Sequence, residues 1–273
     1  MCQDKHHEPA GFTQQAQDRS AGGGATSAPA AQIAELVTAN HILYDQGVLD
    51  AFGHVSVRHA DDPERFLLAR NMAPGLVQAA DIVEFDLDGN PYNAAGRAIY
   101  LERFIHSEIY KARPDVVAVV HSHSPSVVPF SVSTTSPLRA TCHMAGFIGL
   151  AAPVFEIRDH VGEASSLLIT NHELGQALAG SLGERSLVLM RGHGSTVVAD
   201  SLRRAVYRAV YTELNAQIQS VAQQLGEVTF LSEGEIAETV RVIETQVVRA
   251  WDFWSIKAGA TARALMQQQA QLG

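Results

Sequence analysis

Two histidines separated by one serine, His121-Ser-His123, follow an unbroken apolar run, Val116-Val-Ala-Val-Val120. Such a run reads as a buried strand, and alternate residues of a strand point to the same face. A strand that persists two residues past its buried part sends both imidazoles the same way, off its carboxyl end. In open α/β sheets that is where ligands bind. A neutral imidazole offers a lone pair suited to Zn2+, Mn2+ or Fe2+, and a protein site for such an ion needs at least one more ligand. A third candidate is His193, in Arg191-Gly-His-Gly194, again after an apolar strand-like run, Leu187-Val-Leu-Met190. Glycine on both sides lets the backbone turn sharply and lets another group approach closely. The competing reading for each histidine is a surface or satisfied core group. Two strands ending in histidine at one edge predict a three-histidine metal site.

The elements that must position these residues follow from local pattern. Residues 1 to about 30 are polar, small and glycine-rich, ending in Ala21-Gly-Gly-Gly-Ala-Thr-Ser-Ala-Pro29, and predict a disordered tail in which His6-His7 is solvated. From about Ala31, Ile33, Leu36, Val37, Ile42 and Leu43 predict an amphipathic helix towards Gly47. Phe52 to His59 alternates, with Val55 and Val57 on one face. Phe66 to Ala69 is a second strand after the turn Asp61-Asp-Pro63, and Asp81 to Leu87 a third, closed by Asp88-Gly-Asn-Pro91. Tyr100 to Ala112 predicts a helix stopped at Arg113-Pro114, and Pro125 a short helix. Pro153 to Ile157 predicts a strand and residues 164–182 a helix. Strands to Met190 and over Thr196 to Ala199 follow. Ser201 is a candidate cap for a long helix to about Gln224, and a last helix covers about 233–265. One α/β domain over 31–273, with helices on both faces of a sheet, is the simplest architecture.

Composition narrows the function classes. The chain has 273 residues, 46% of them hydrophobic, enough for a sizeable core. Its formal charge is −9 with no basic stripe, which argues against nucleic acid or an anionic membrane as partner. Two distant cysteines, Cys2 and Cys142, predict no disulfide and fit a reducing compartment. No run approaches membrane-spanning length and no apolar stretch marks a signal peptide, so a cytoplasmic protein is expected.

Glu102 lies in the first turn of the helix before the His121 strand, and on the residues alone it reads as a solvated glutamate favoured there by the helix dipole. The chain, however, resembles the class II aldolase/adducin family. The resemblance is carried by Gly53-His-Val-Ser-Val-Arg58, Glu102, the stretch Arg113-Pro-Asp-Val-Val-Ala-Val-Val-His121-Ser-His123 and Arg191-Gly-His-Gly194, in order over about residues 31–230. It implies a three-layer α/β/α sandwich with a central mixed or antiparallel sheet. It also implies His121, His123 and His193 as ligands of a divalent metal (Zn, Mn, Co or Fe) and Glu102 as metal neighbour or acid/base. A homo-oligomer, a tetramer foremost, with sites near subunit interfaces, belongs to the same implication.

Two departures refine this. Where sugar-phosphate aldolases of the family carry a hydroxyl- and glycine-rich phosphate loop, this chain has Arg70-Asn-Met-Ala-Pro-Gly75. That loop offers no hydroxyl, but Arg70 offers a rigid fork suited to a carboxylate. The family's usual asparagine is His54 here. These changes, with Ser124 to Phe130 and Leu138 to Phe147, resemble the branch that decarboxylates hydroxylated aromatic dicarboxylates. That branch implies a small aromatic acid substrate, 3,4-dihydroxyphthalate foremost, with protocatechuate as product. Decarboxylation leaves an electron pair on carbon, which a metal-bound ortho-hydroxy acid can accept while a general acid protonates that carbon. Glu102 is the first choice for the acid, with His54 and His143 as alternatives, and Arg70 would hold the second carboxylate. For His143 and Arg139 loop packing or surface charge competes. Tyr207, Tyr211 and the Trp251/Trp254 pair read as apolar helix packing or as side chains reaching a neighbouring subunit's site, Tyr211 as a substrate contact. An aldolase of an unphosphorylated hydroxy-keto acid or sugar, and a non-catalytic adducin-like interaction module, are the alternatives.

Overall fold

Alternation along each strand divides the apolar residues into two sets, and each set finds its own helices. The computed structural model describes residues 26–272. Its strands are β1 (His54–Arg58), β2 (Arg65–Ala69), β3 (Ile82–Asp86), β4 (Ala118–Ser122), β5 (Val154–Phe155), β6 (Leu187–Met190) and β7 (Gly194–Ala199). They form one sheet in the order β3-β2-β1-β4-β7-β6-β5. Every neighbouring pair is antiparallel except β5 with β6. On one face Val55, Val57, Ala118, Val120 and Val197 pack with α1 (Ala30–Asp45), α6 (Leu202–Leu225) and α8 (Val247–Leu272). On the other, Phe66, Leu68, Val119, Val188 and Val198 pack with α2 (Arg103–Ala112) and α5 (His172–Leu182). A sheet with both faces covered is the expected α/β/α sandwich with a mixed sheet.

The remaining helices are α3 (Val128–Val132), α4 (Arg158–Val161) and α7 (Glu233–Ile243). Ser201 caps α6 as its type suggested, its side chain accepting from the Arg204 N–H. Elsewhere the boundaries differ from the sequence reading, for reasons the structure supplies. The helix expected over 164–182 begins only at His172, because Asn171 caps it by accepting from the Leu174 N–H, while Leu167 takes a left-handed φ of 65°. The last helix is interrupted at residues 244–246, where Glu244 receives two hydrogen bonds, 2.7 and 2.9 Å, from the Arg208 guanidinium on α6. The short helix expected from Pro125 starts at Val128, α2 starts at Arg103 instead of Tyr100, and β5 keeps two residues. Thr26 and Ser27, placed in the tail by composition, bond the buried carboxylate of Glu84 on β3. Cys2 and His6-His7 lie outside the described residues. No helix among the described residues is long and apolar enough to cross a membrane.

β4 and β6 both run antiparallel to β7, so they share a direction and their carboxyl ends lie at one edge. The turn from β6 into β7 is tight: the His193 N–H bonds the Met190 carbonyl at 3.0 Å, and Gly192 adopts a φ of 67°. β7 then presses against the end of β4. A Cβ on Gly194 would stand 2.1 Å from the Ser122 carbonyl oxygen and 3.2 Å from the His123 Cα. Backbone cannot yield as a side chain can, so Gly194→Ala is expected to cost about 1–3 kcal/mol of stability. An unchanged denaturation midpoint would contradict this close approach.

Candidate metal centre

His121 lies near the end of β4, on the sheet face covered by α2 and α5, opposite His54 in the β1–β4 register. His123 leaves the strand on the same side, and His193 arrives from the β6–β7 turn. The three Nε2 atoms converge: His121 to His123 is 3.1 Å and His123 to His193 is 3.0 Å. Glu102, the residue just before α2, brings Oε2 to 3.7 Å from His121 Nε2 and 3.6 Å from His193 Nε2. All four ligand atoms lie within 4.8 Å of one another. Nitrogens bound to one zinc at about 2.0–2.1 Å stand roughly 2.9–3.4 Å apart at right to tetrahedral angles. The distances from His123 to His121 and to His193 fit that range.

The electrostatics agree with a cation site. Burial holds His121 well below the usual imidazole range, lowers His123, and brings His193 down to about 4. All three are therefore neutral and present lone pairs. His121 Nδ1 lies 3.2 Å from the Ser195 carbonyl, which can only accept, so the proton sits on Nδ1 and Nε2 is left bare towards its partners. His193 Nδ1 is buried without a well-formed hydrogen bond, with the Leu167 backbone as its polar neighbour. Burial pushes Glu102 up to about 7, against the opposing effect of the Ile169 N–H, which donates to Oε1 at 3.0 Å. Glu102 is thus a buried group and not the solvated first-turn glutamate that its position suggests on local grounds. A divalent cation would supply the opposite charge that a buried carboxylate needs and that no neighbouring side chain provides. The donor set, three imidazoles and one oxygen, suits several first-row ions.

Comparison with known proteins identifies the family. Residues 34–220 match the model of the Class II Aldolase and Adducin N-terminal domain. The chain belongs to this family. Within the class II aldolases and adducins, it is 41% identical to Decarboxylase tropJ of Talaromyces stipitatus over 237 residues, covering 78% of this chain and 89% of that one. It is 31% identical over 219 residues to a 3,4-dihydroxyphthalate decarboxylase of Arthrobacter keyseri, covering 74% and 84%. In fold it is similar to an aldolase II superfamily protein from Pseudomonas syringae, with TM-score 0.69, 22% identity and 84% and 92% coverage. An L-fuculose 1-phosphate aldolase is similar at TM-score 0.66, 22% identity and 78% and 96% coverage.

On this class II aldolase frame the other candidates separate. His54 stands beside the cluster but outside it: its buried ring lies 5.0 Å from that of His121, and its Nδ1 is taken by His106. Arg70 is less free than expected, since its Nε bonds Asp81 at 2.7 Å. Its loop is tied to the site by Tyr100, whose hydroxyl donates to the Met72 carbonyl at 2.6 Å while its ring lies 4.5 Å from that of His54. His143 is exposed at the start of a 3-10 segment, residues 143–148, that packs on α6 and α7, and no described contact joins it to the cluster. Tyr211 packs its ring 4.6 Å from Tyr207 and 6.1 Å from Trp254, so within one chain it serves helix packing. Arg139 lies over Phe230. Sequence reasoning missed His106, Tyr110 and Ser56, although a signal existed. Glu102, His106 and Tyr110 are spaced by four along one helix face, and Ser56 is the residue left between Val55 and Val57. It also missed Phe52, exposed with its ring 6.5 Å from His123.

Proposed function

We propose that this protein is a metal-dependent lyase, a non-oxidative decarboxylase of a hydroxylated aromatic dicarboxylate. The carrying observation is the convergence of three neutral imidazole nitrogens with one buried carboxyl group at the end of β4. His121, His123 and His193 would hold the divalent cation. When bound, that ion would act as Lewis acid on a phenolic oxygen and the neighbouring carboxylate, accepting the charge that builds in the ring. Glu102, with Oε2 3.7 and 3.6 Å from two of those histidine nitrogens, is the group placed to give a proton to the ring carbon. The bond from that carbon to its carboxylate breaks, CO2 leaves and aromaticity returns. Arg70 keeps its terminal nitrogens for the second carboxylate while Asp81 orients it through Nε. The two decarboxylase relatives favour this chemistry, and 3,4-dihydroxyphthalate is the foremost substrate, protocatechuate its product.

The loop Arg70–Gly75, without a hydroxyl side chain, sets the chain apart from a phosphate-gripping aldolase. A homo-oligomer, tetrameric by family resemblance, is part of the same reading, and α6 leaves Leu214, Ile218, Val221 and Leu225 exposed for a second copy.

Incubation of the metal-loaded protein with 3,4-dihydroxyphthalate should release CO2 and protocatechuate. Aldehyde from a hydroxy-keto acid in place of CO2 would make it an aldolase, and neither product, with no bound ion, an interaction module. Arg70→Met should raise KM at least about tenfold, the scale of losing a charge-assisted hydrogen bond of roughly 1.5–3 kcal/mol, with less effect on kcat. An unaltered KM would remove Arg70 from the substrate site.

A further inference from the structure

Behind the cluster, four buried polar side chains lie end to end. β1 presents His54 and Ser56 at alternate positions on the face covered by α2, and α2 presents His106 and Tyr110 four residues apart. Two residues of strand advance about 6.6–6.8 Å and four of helix about 6 Å, so the two rows stay in register. His54 Nδ1 meets His106 Nε2 at 2.6 Å, and His106 Nδ1 meets Ser56 Oγ at 2.6 Å. Ser56 Oγ meets the Tyr110 hydroxyl at 2.7 Å. Water has almost no access, since none of the four exceeds 3% exposure.

Each joint needs one donor and one acceptor, and a neutral imidazole has one of each. A serine hydroxyl can also accept twice, so the protons can run in three orders. In the first, Tyr110 donates to Ser56, Ser56 to His106 Nδ1 and His106 Nε2–H to His54 Nδ1. In the second, every bond is reversed and the Tyr110 hydrogen must go elsewhere. The alternative acceptor among the described residues is the Val117 carbonyl, 3.4 Å away and already receiving the Arg58 N–H at 2.7 Å. In the third, Ser56 accepts from both His106 and Tyr110, and its own hydrogen has no acceptor among the described residues. Only the first order gives the Tyr110 and Ser56 hydrogens short bonds together.

We infer that His106 is a positioning residue: with Ser56 and Tyr110 it holds His54 in the Nε2–H tautomer, making His54 a fixed hydrogen-bond donor beside the metal cluster instead of a fourth imidazole ligand. Nε2 of His54 makes no hydrogen bond among the described residues, which leaves it for a substrate oxygen. This last step rests on the decarboxylase reading, whereas the tautomer does not.

The test is 15N spectroscopy of the histidine rings in Zn2+-loaded protein, with His54 assigned by its loss in His54→Gln. Wild type should show His54 protonated at Nε2 and bare at Nδ1. Tyr110→Phe removes the first donor and should mix the two tautomers, while turnover falls about ten- to a hundredfold with zinc content unchanged, the scale of weakening one aimed donor. His106→Leu should do the same or worse. His106→Gln keeps an N–H donor and an acceptor at similar reach and should recover most of the turnover. His54 protonated at Nδ1 in wild type, or a tautomer that Tyr110→Phe does not move, would overturn the inference. If the wild type releases no CO2, the spectra still decide the tautomer, and only the decarboxylase reading is lost.

Discussion

His123→Ala is expected to lose the cation and the activity together. Its Nε2 lies between those of His121 and His193, at 3.1 and 3.0 Å, so truncation removes the middle member of the set. Two imidazoles and a carboxyl group remain, fewer nitrogen donors than the site was built around. Loss of a mere outer hydrogen bond to a metal ligand costs roughly 10–100-fold in affinity, so losing a ligand should exceed that. The chain should still fold, because His123 is only partly buried and lies beyond the last residue of β4. Elemental analysis after dialysis reads the ion, turnover reads the chemistry, and circular dichroism checks the fold. A variant that stays fully active without bound metal would end the metal reading.

Glu102→Gln should separate binding from chemistry. The amide can still accept from the Ile169 N–H, so the local backbone has no reason to move. The three histidines are untouched, and the ion should stay. What would disappear is the proton that the proposed mechanism draws from Glu102. Turnover should fall by about 10²–10⁴-fold, the usual scale for an acid/base group. The pH profile gives an independent check. Burial raises the Glu102 pKa to about 7, so in the metal-free protein the acid form persists below that pH and is lost as pH rises through it. In the unfolded chain the same group ionises near the ordinary glutamate value, about 4.3. Its sign is therefore that of a raised acid: relative to acid pH, Glu102 destabilises the metal-free fold progressively between about 4.3 and 7, and Glu102→Gln should flatten that part of the stability curve. If turnover were unchanged, the proton would have to come from another group, with His54 next in line.

Part of the site was readable from the chain because it is local. His121 and His123 are two apart on a strand that an apolar run announces, and a strand has only two faces. His193 sits between glycines after a second such run, and its turn is one that those glycines permit. The sandwich was equally readable, since alternating strands and amphipathic helices leave few other ways to cover both faces of a sheet. The Ser201 cap and the stop at Arg113 are likewise decided within a few residues.

Other features depended on which distant segments meet. Glu102 is buried where residues 164–170 stay non-helical and lend it the Ile169 N–H, an arrangement that the helical expectation for that stretch concealed. Arg70 is half occupied by Asp81, and Tyr211 is held by Tyr207 and Trp254. His54 belongs with His106, Ser56 and Tyr110 only because β1 and α2 lie in register across the sheet face. Side-chain type and short-range periodicity carry what each residue can donate or accept. The partner that claims each buried donor is chosen by packing, since a buried polar group must pair with whatever the fold brings within about 3 Å, and no local pattern encodes that neighbour.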